Sequence, residues 1–412
     1  MIHVAEISHS TTQRGSKLSA HIHCPGSDLD GKELWICYPP DYLDRLSSWA
    51  DPWIAMLLWP AMRLGHTLRI DAPASARLAE STDDLMAVMS CWDARFQRIE
   101  IEPEGVTRHP ACDGVTASFF SGGVDSFYTV LKNHAAQPAR YGTISHLIFA
   151  HGFDIPLHDV ELYNRVLPAM QRCAKDLGCT LVPCATNVRE VIPEALVGWP
   201  MYYGAPLAGM ALGLCGLWSR VLIPAPQTYK DTFPNGSHPV LDPLWSTEAV
   251  QLIHDGAEAT RVVKIETIAA SESALRHLRV CWRNPEGQYN CGRCEKCVRT
   301  MISLKMAGVL EKCTAFEQPL SDARIADLPL TTKASRVLMM QNYEAAVARQ
   351  ADPALIRAMQ QCLHPSLPRR VSRAIRRSIR PWALSLDRSL LGGRLRRIHH
   401  AQRDGIAATP RA

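Results

Sequence analysis

Two stretches of the chain combine residue types that do chemistry. The first is Ser121-Gly-Gly-Val-Asp-Ser126. Adjacent glycines let the backbone take positive φ and come close to a ligand with no Cβ in the way. Ser121 and Ser126 offer hydroxyl donors, and the Asp125 carboxylate could hold a magnesium ion that neutralises phosphate. The second stretch is Cys281-Trp-Arg-Asn-Pro-Glu-Gly-Gln-Tyr-Asn-Cys291-Gly-Arg-Cys294-Glu-Lys-Cys297. Four thiolates can close a tetrahedral zinc shell. Three of them come from one Cys-x-x-Cys-x-x-Cys turn, which Gly292 helps to tighten, and Cys281 completes the set. An iron–sulfur cluster or a redox centre would use the same residue types. The other cysteines, Cys173, Cys179 and Cys215 among them, sit in apolar or helical surroundings and read as small core residues or idle thiols.

The flanking elements give the glycine turn its meaning. Val115-Thr-Ala-Ser-Phe-Phe120 reads as a buried strand, and Phe127 to Asn133 as the first turns of a helix. Strand, turn and helix together aim free backbone N–H groups and a positive helix end at one point, which suits a phosphate. No Gly-Lys-Ser/Thr follows the glycines, so this is not a Walker loop. A plain Gly-Gly turn is the structural alternative. From about 113 to 235 strands and helices alternate: Ile144–Ala150, a helix from about His158 to Leu177, Thr180–Cys184, and Val221–Ile223. That alternation marks a parallel α/β sheet, whose ligands sit beyond the carboxyl ends of the strands. Three loops therefore converge: Ser121–Ser126, His151–Pro156 and Pro226–Asp242. In the last, Lys230 could steady a phosphate or a carboxylate, and His238 or Asp242 could handle protons. Each also reads as a loop or capping residue.

Residues 1–112 carry strand-like segments at Ala20–Cys24, Glu33–Tyr38, Thr67–Ile70 and Arg98–Glu102, with an apolar segment at Trp53–Met62. They read as an α+β lead domain that packs against or closes over the site. His21 and His23 would share a strand face, as a metal pair or as unliganded surface groups. The expected divisions are 1–112, a nucleotide domain at 113–265, the cysteine segment with helices at 266–363, and an arginine-rich tail at 364–412. Helices are expected at Val298–Gly308, Lys333–Arg349 and Asp352–Cys362.

Composition is that of an ordinary soluble protein, 47% apolar and 21% charged. The net charge of +5 hides a division. From Pro365 to Ala412 there are twelve arginines, no lysines and two aspartates, giving +10 and leaving −5 elsewhere. Within that tail Val371, Ile375 and Ile379 recur at helical spacing among arginines. This suits either an amphipathic helix that meets an anionic surface or a solvated tail. The opening residues carry no signal-peptide pattern, so a cytoplasmic, reducing setting is expected, where clustered cysteines bind metal. Ala195 to Ser219 is free of charge, but its prolines and glycines favour a buried helix feeding the sheet over a membrane span.

The spelling Ser-Gly-Gly-Val-Asp-Ser resembles the signature of the N-type ATP pyrophosphatases, the PP-loop superfamily, which cleave ATP to AMP and pyrophosphate. Followed by Cys…Cys-Gly-x-Cys-x-x-Cys, it is similar to the 7-cyano-7-deazaguanine synthase family over roughly 113–310. The resemblance implies a PP-loop fold. Ser121, Gly122, Gly123, Val124, Asp125 and Ser126 would bind ATP phosphates with Mg2+. Ala150, His151, Gly152 and Phe153 would lie at the adenine, and Asp154 near the reaction centre, unless Asp154 only caps a turn. Cys281, Cys291, Cys294 and Cys297 would hold a structural Zn2+. It further implies adenylation of a carboxylate or carbonyl oxygen, then attack by ammonia or another nucleophile. Two departures stand out. A whole lead domain precedes the glycine turn, and the loop at Tyr229–Asp242 lacks the family's tyrosine–proline–aspartate–cysteine pattern. A different acceptor is therefore expected: a small acid or heterocycle, with RNA or protein as alternatives. A non-catalytic nucleotide-binding role and a homodimer also remain open.

Overall fold

The computed structural model describes residues 1–110, 112–136 and 139–365. The basic helix expected around Val371–Ile379 lies outside them. Among the described residues ten strands form one sheet. In chain order they are β1 (Ile2–Thr12), β2 (Gly15–His23), β3 (Lys32–Tyr38), β4 (Leu68–Ser75), β5 (Ile101–Thr107), β6 (Val115–Phe119), β7 (Ile144–His151), β8 (Thr180–Thr186), β9 (Trp218–Pro224) and β10 (Gln251–Asp255). Their order across the sheet is β10-β9-β6-β7-β8-β3-β2-β1-β4-β5. The block from β10 to β8 is parallel throughout. At its edge β3 joins β8 antiparallel, through Ile36 opposite Thr186, and carries the first region into the same sheet. The β1–β2–β3 meander is antiparallel, and β4 and β5 then extend it in parallel with β1. The molecule is thus α/β with a large, mostly parallel sheet.

Period-two alternation explains why this block is apolar throughout. On β9, Val221 and Ile223 enter one core and Leu222 the other. On β7, Ile148 enters the first, while Leu147 and Phe149 enter the second. The first core also takes α1 (Asp51–Leu64) and part of α2 (Ala76–Trp92). The second takes α3 (Val124–Ala135) and α4 (Val160–Asp176).

The charge-free stretch does not form one helix. After the short α5 (Val188–Val191) it breaks into α6 (Trp199–Tyr202) and α7 (Gly204–Leu212), and the chain then turns into β9. Pro200 and Pro206 each sit in a first turn, where a missing N–H costs nothing. α7 packs closely on α1, because a Cβ on Gly209 would stand 2.7 Å from Met56 Cγ. Among the described residues no helix is long and apolar enough to cross a membrane.

Beyond β10 come α8 (Arg261–Ala269), α9 (Glu272–His277), α10 (Glu295–Met306), α11 (Asp322–Ala326), α12 (Lys333–Ala348) and α13 (Pro353–Leu363). The last four share a third apolar cluster built on Val298, Ile302, Met339 and Met359. This helical layer covers one mouth of the sheet.

Candidate active site

Successive strands run outward from β6 through β7 to β8, and the chain then returns to β9 on the other side of β6. The carboxyl ends of β6 and β9 therefore flank a topological switch point, where open α/β sheets leave a crevice. A cavity of about 250 Å³ lies beside both loops. Ser121, Gly123, Val124 and Asp125 line it after β6, and Pro226, Gln227 and Thr228 after β9. Its far wall comes from the helical layer, through Arg261, Lys296, Arg299 and Gln341.

The turn is built for close approach. Gly122 has φ +74, and its carbonyl accepts a 2.7 Å bond from the Arg279 N–H. Gly123 is the N-cap of α3 and provides no side-chain acceptor, so the first-turn N–H groups lack a side-chain cap. Ser121 is exposed, and its Oγ accepts from the Gly123 N–H at 3.3 Å. Ser126 points inward: it is buried, and its Oγ donates to the Gly123 carbonyl at 3.0 Å.

Asp125 is held on both oxygens. Arg261 donates to Oδ2 at 2.7 Å and Lys264 to Oδ1 at 3.0 Å. Burial alone would raise its pKa, but these two cations outweigh it and hold the carboxyl below the usual range. Burial pulls Lys264 down in turn, and Asp125 opposes that. A magnesium ion on Asp125 would therefore share the carboxylate with a guanidinium and an ammonium group.

Four cations line the cavity: Arg261, Arg279, Lys296 and Arg299. Arg299 is 5% exposed, and its carboxylate partner Glu295 stands 3.9 Å away. Burial, with Arg261 nearby, pushes its pKa down to about 10. Arg279 is 4% exposed, and among the described residues its Nε has no hydrogen-bond partner. Such under-compensated buried cations fit an anionic ligand.

The other expected positions spread out. Asp154 lines the cavity, and its carbonyl accepts from Asn284, whose Oδ1 accepts in turn from Arg279. Ala150, His151, Gly152 and Phe153 do not line it. His151 is buried and stacks on Tyr163 at 4.0 Å, and Phe153 packs edge-on against Trp199. Lys230 is exposed beside the cavity loop rather than among its lining residues. From the same loop Gln227, Thr228, Asp231, Phe233 and Asn235 reach the cavity. Asp242 is wholly buried. Ser237 and His254 each donate to its Oδ2 at 2.7 Å, so it ties the loop to β10. Asp231 is fixed by Gln341 of α12 at 2.8 Å.

The four cysteines come together. Their sulfurs all lie within 4.8 Å of one another, and every one is buried. The sulfur–sulfur edges are 3.4 Å between Cys294 and Cys297, 3.9 Å between Cys291 and Cys297, and 4.0 Å between Cys294 and Cys281. A tetrahedral ion with Zn–S near 2.3 Å implies edges of about 3.8 Å. The set therefore fits one metal ion such as zinc. Holding such an ion requires all four sulfurs as thiolates. N–H groups of Cys294 and Cys297 point at Cys291 and Cys294 sulfurs, at 3.3 and 3.5 Å.

Known proteins add nothing to this geometry. No protein-family model matches the chain, and no curated protein or solved structure matches it. The functional reading therefore rests on the residues themselves. Arg261, Lys264, Arg279 and Arg299 were not singled out from sequence. The signal available for two of them was position: Arg279 lies two residues before Cys281, and Arg299 two after Cys297.

Proposed function

We propose that the chain is an ATP-dependent, AMP-forming enzyme of the PP-loop kind. Its acceptor would be a carboxylate or carbonyl oxygen of a small acid or heterocycle. One observation carries the reading. The uncapped start of α3, after a glycine turn at the switch point, faces a cavity with four cations around it. That arrangement neutralises a polyphosphate from both ends.

In this reading the N–H groups at the start of α3 and the Ser121 hydroxyl hold phosphate oxygens. The acceptor oxygen attacks the α-phosphorus, and the bridging oxygen leaves with pyrophosphate. Arg279, Arg299 and Lys296 stabilise the charge that develops on that leaving group. Asp125 orients Arg261 and Lys264, and shares a Mg2+ when one accompanies the nucleotide. The amides of Gln227 and Asn235 line the same cavity and can orient the acceptor. Ammonia or another nucleophile then displaces AMP. Zinc at the four cysteines would be structural, since all four sulfurs close its shell.

Labelled ATP, magnesium and ammonium, with a panel of acids that includes 7-carboxy-7-deazaguanine, test this directly. The expected products are AMP and pyrophosphate, dependent on one acceptor and lost in Asp125→Ala. ADP with phosphate would overturn the reading. ATP binding without turnover on any small acid would move the acceptor to RNA or protein, or the role to nucleotide sensing.

A further inference from the structure

The two chemical features of this chain touch. Cys281 itself lines the cavity. Arg279 is two residues upstream, and its N–H holds the Gly122 carbonyl at 2.7 Å. Asn290, the neighbour of Cys291, ties down the segment that carries Arg279 and Cys281. Its Oδ1 accepts from the N–H groups of Val280 and Cys281 at 2.9 and 3.2 Å, and its Nδ2 donates to the Leu278 carbonyl at 2.7 Å. On the other side Cys294 caps α10, which carries Arg299 one turn into the helix. Among the described residues, only the short turn Pro285–Gly287 provides regular structure between α9 and α10. Between α9 and α10 the path of 279–294 is held by the side chains of Asn290, Tyr289 and Asn284, and a metal on Cys281, Cys291 and Cys294 would pin it at three further points.

We infer that the four-cysteine centre and the anion cavity are one coupled device. A metal bound by Cys281, Cys291, Cys294 and Cys297 sets Arg279 and Arg299 against the Gly122 turn, and a polyphosphate in the cavity and that metal stabilise each other. The inference rests on the proposed reading only for the class of ligand, a polyphosphate, and not on adenylation.

The sign of the coupling is not trivial. Four thiolates around a divalent ion carry a net charge of −2, which by itself would repel an anion next door. The positional effect outweighs this, because metal binding and the folding of such a segment are one equilibrium. Two buried guanidinium groups are also poorly compensated until an anion arrives: among the described residues Arg279 has an unpaired Nε, and Arg299 has its carboxylate partner Glu295 at 3.9 Å. Reciprocity then requires that the anion hold the metal as firmly as the metal holds the anion site.

The test follows zinc loss from the full-length, zinc-loaded protein into excess chromophoric chelator. Inorganic pyrophosphate is the probe; because it binds zinc itself, the chelator's response to free zinc with pyrophosphate is the first control, and sulfate at equal ionic strength is the second. Pyrophosphate is expected to slow zinc loss about tenfold. Arg299→Gln, still carrying one zinc, should lose most of that protection. Cys294→Ser, which keeps every cavity cation, should bind pyrophosphate at least tenfold more weakly. Should that variant fail to fold, the release rates of the unaltered protein decide alone. Unchanged or faster zinc loss under pyrophosphate shown calorimetrically to bind would overturn the inference, as would a failure of pyrophosphate or of zinc to bind at all. The adenylation reading fails separately: slowed zinc loss with no AMP from ATP leaves the coupling standing, and AMP formation with indifferent zinc loss does the reverse.

Discussion

Two carboxylates on opposite parts of one sheet meet opposite fates. Asp51 opens α1, is 2% exposed, and accepts one backbone bond from Ser75 at 2.9 Å. Burial pushes its pKa up to about 7, and nearby Glu248 adds to the rise. Asp125 opens α3, and burial acts on it too, yet Arg261 and Lys264 hold its carboxyl down. The difference lies in the neighbours. Around α1 the interior is apolar, with Trp53, Trp59 and Trp245 fully buried. Around α3 the interior is cationic, and Arg261, Lys264, Arg279 and Arg299 surround the turn. One part of the molecule is stabilised by shape and excludes charge. The other buries charge: it pairs Asp125 with Arg261 and Lys264, and leaves Arg279 and Arg299 under-compensated.

Asp125→Asn breaks this contrast most severely. It leaves buried Lys264 and half-buried Arg261 without their shared partner, and breaking a buried pair costs about 3–5 kcal/mol. A fall of that size in urea unfolding at pH 7 is expected. A change within error would mean that the pairing does not stabilise the cavity.

Asp51→Asn should act in the opposite direction. Its folded pKa is raised, so the stability linked to its protonated form is full below about pH 4 and is lost as pH rises through about 7. The wild-type protein should therefore weaken between pH 5 and pH 8, while Asp51→Asn stays level and gains about 2–4 kcal/mol at pH 8. The Ser75 N–H keeps an acceptor in the amide oxygen. Parallel pH curves for the two proteins would show that Asp51 is ionised in the fold.

The smallest expected effect is in the apolar part. Gly209→Ala would place a Cβ 2.7 Å from Met56 Cγ and 3.0 Å from the Pro52 carbonyl. Overpacking of this kind costs about 1–3 kcal/mol. Pyrophosphate affinity should be unaffected, and a coupled loss of both would join the two parts more tightly than their separate cores suggest.

Much of the parallel block was readable because buried strands are continuous apolar runs. Val115–Phe119, Ile144–His151 and Trp218–Pro224 all fall where such runs were found. Other elements hid for physical reasons. Ile2–Thr12 mixes apolar residues with His, Ser and Thr, since its later residues face solvent, and β10 is short. α2 carries few buried residues among many polar ones. The charge-free stretch looked like one helix because apolarity does not report where proline resets the chain.

Sequence alone determined the glycine turn, the four cysteines and the loop after β9, because each depends on local backbone freedom or on short ligand spacing. The tertiary structure decided what these features face. Arg261 and Lys264 reach Asp125 from more than 130 residues away, and Arg279 meets Gly122 across a similar gap. Sequence separation carries no trace of such pairings. They arise when a helical layer closes on the switch point of a sheet and brings Arg261 and Lys264 to Asp125.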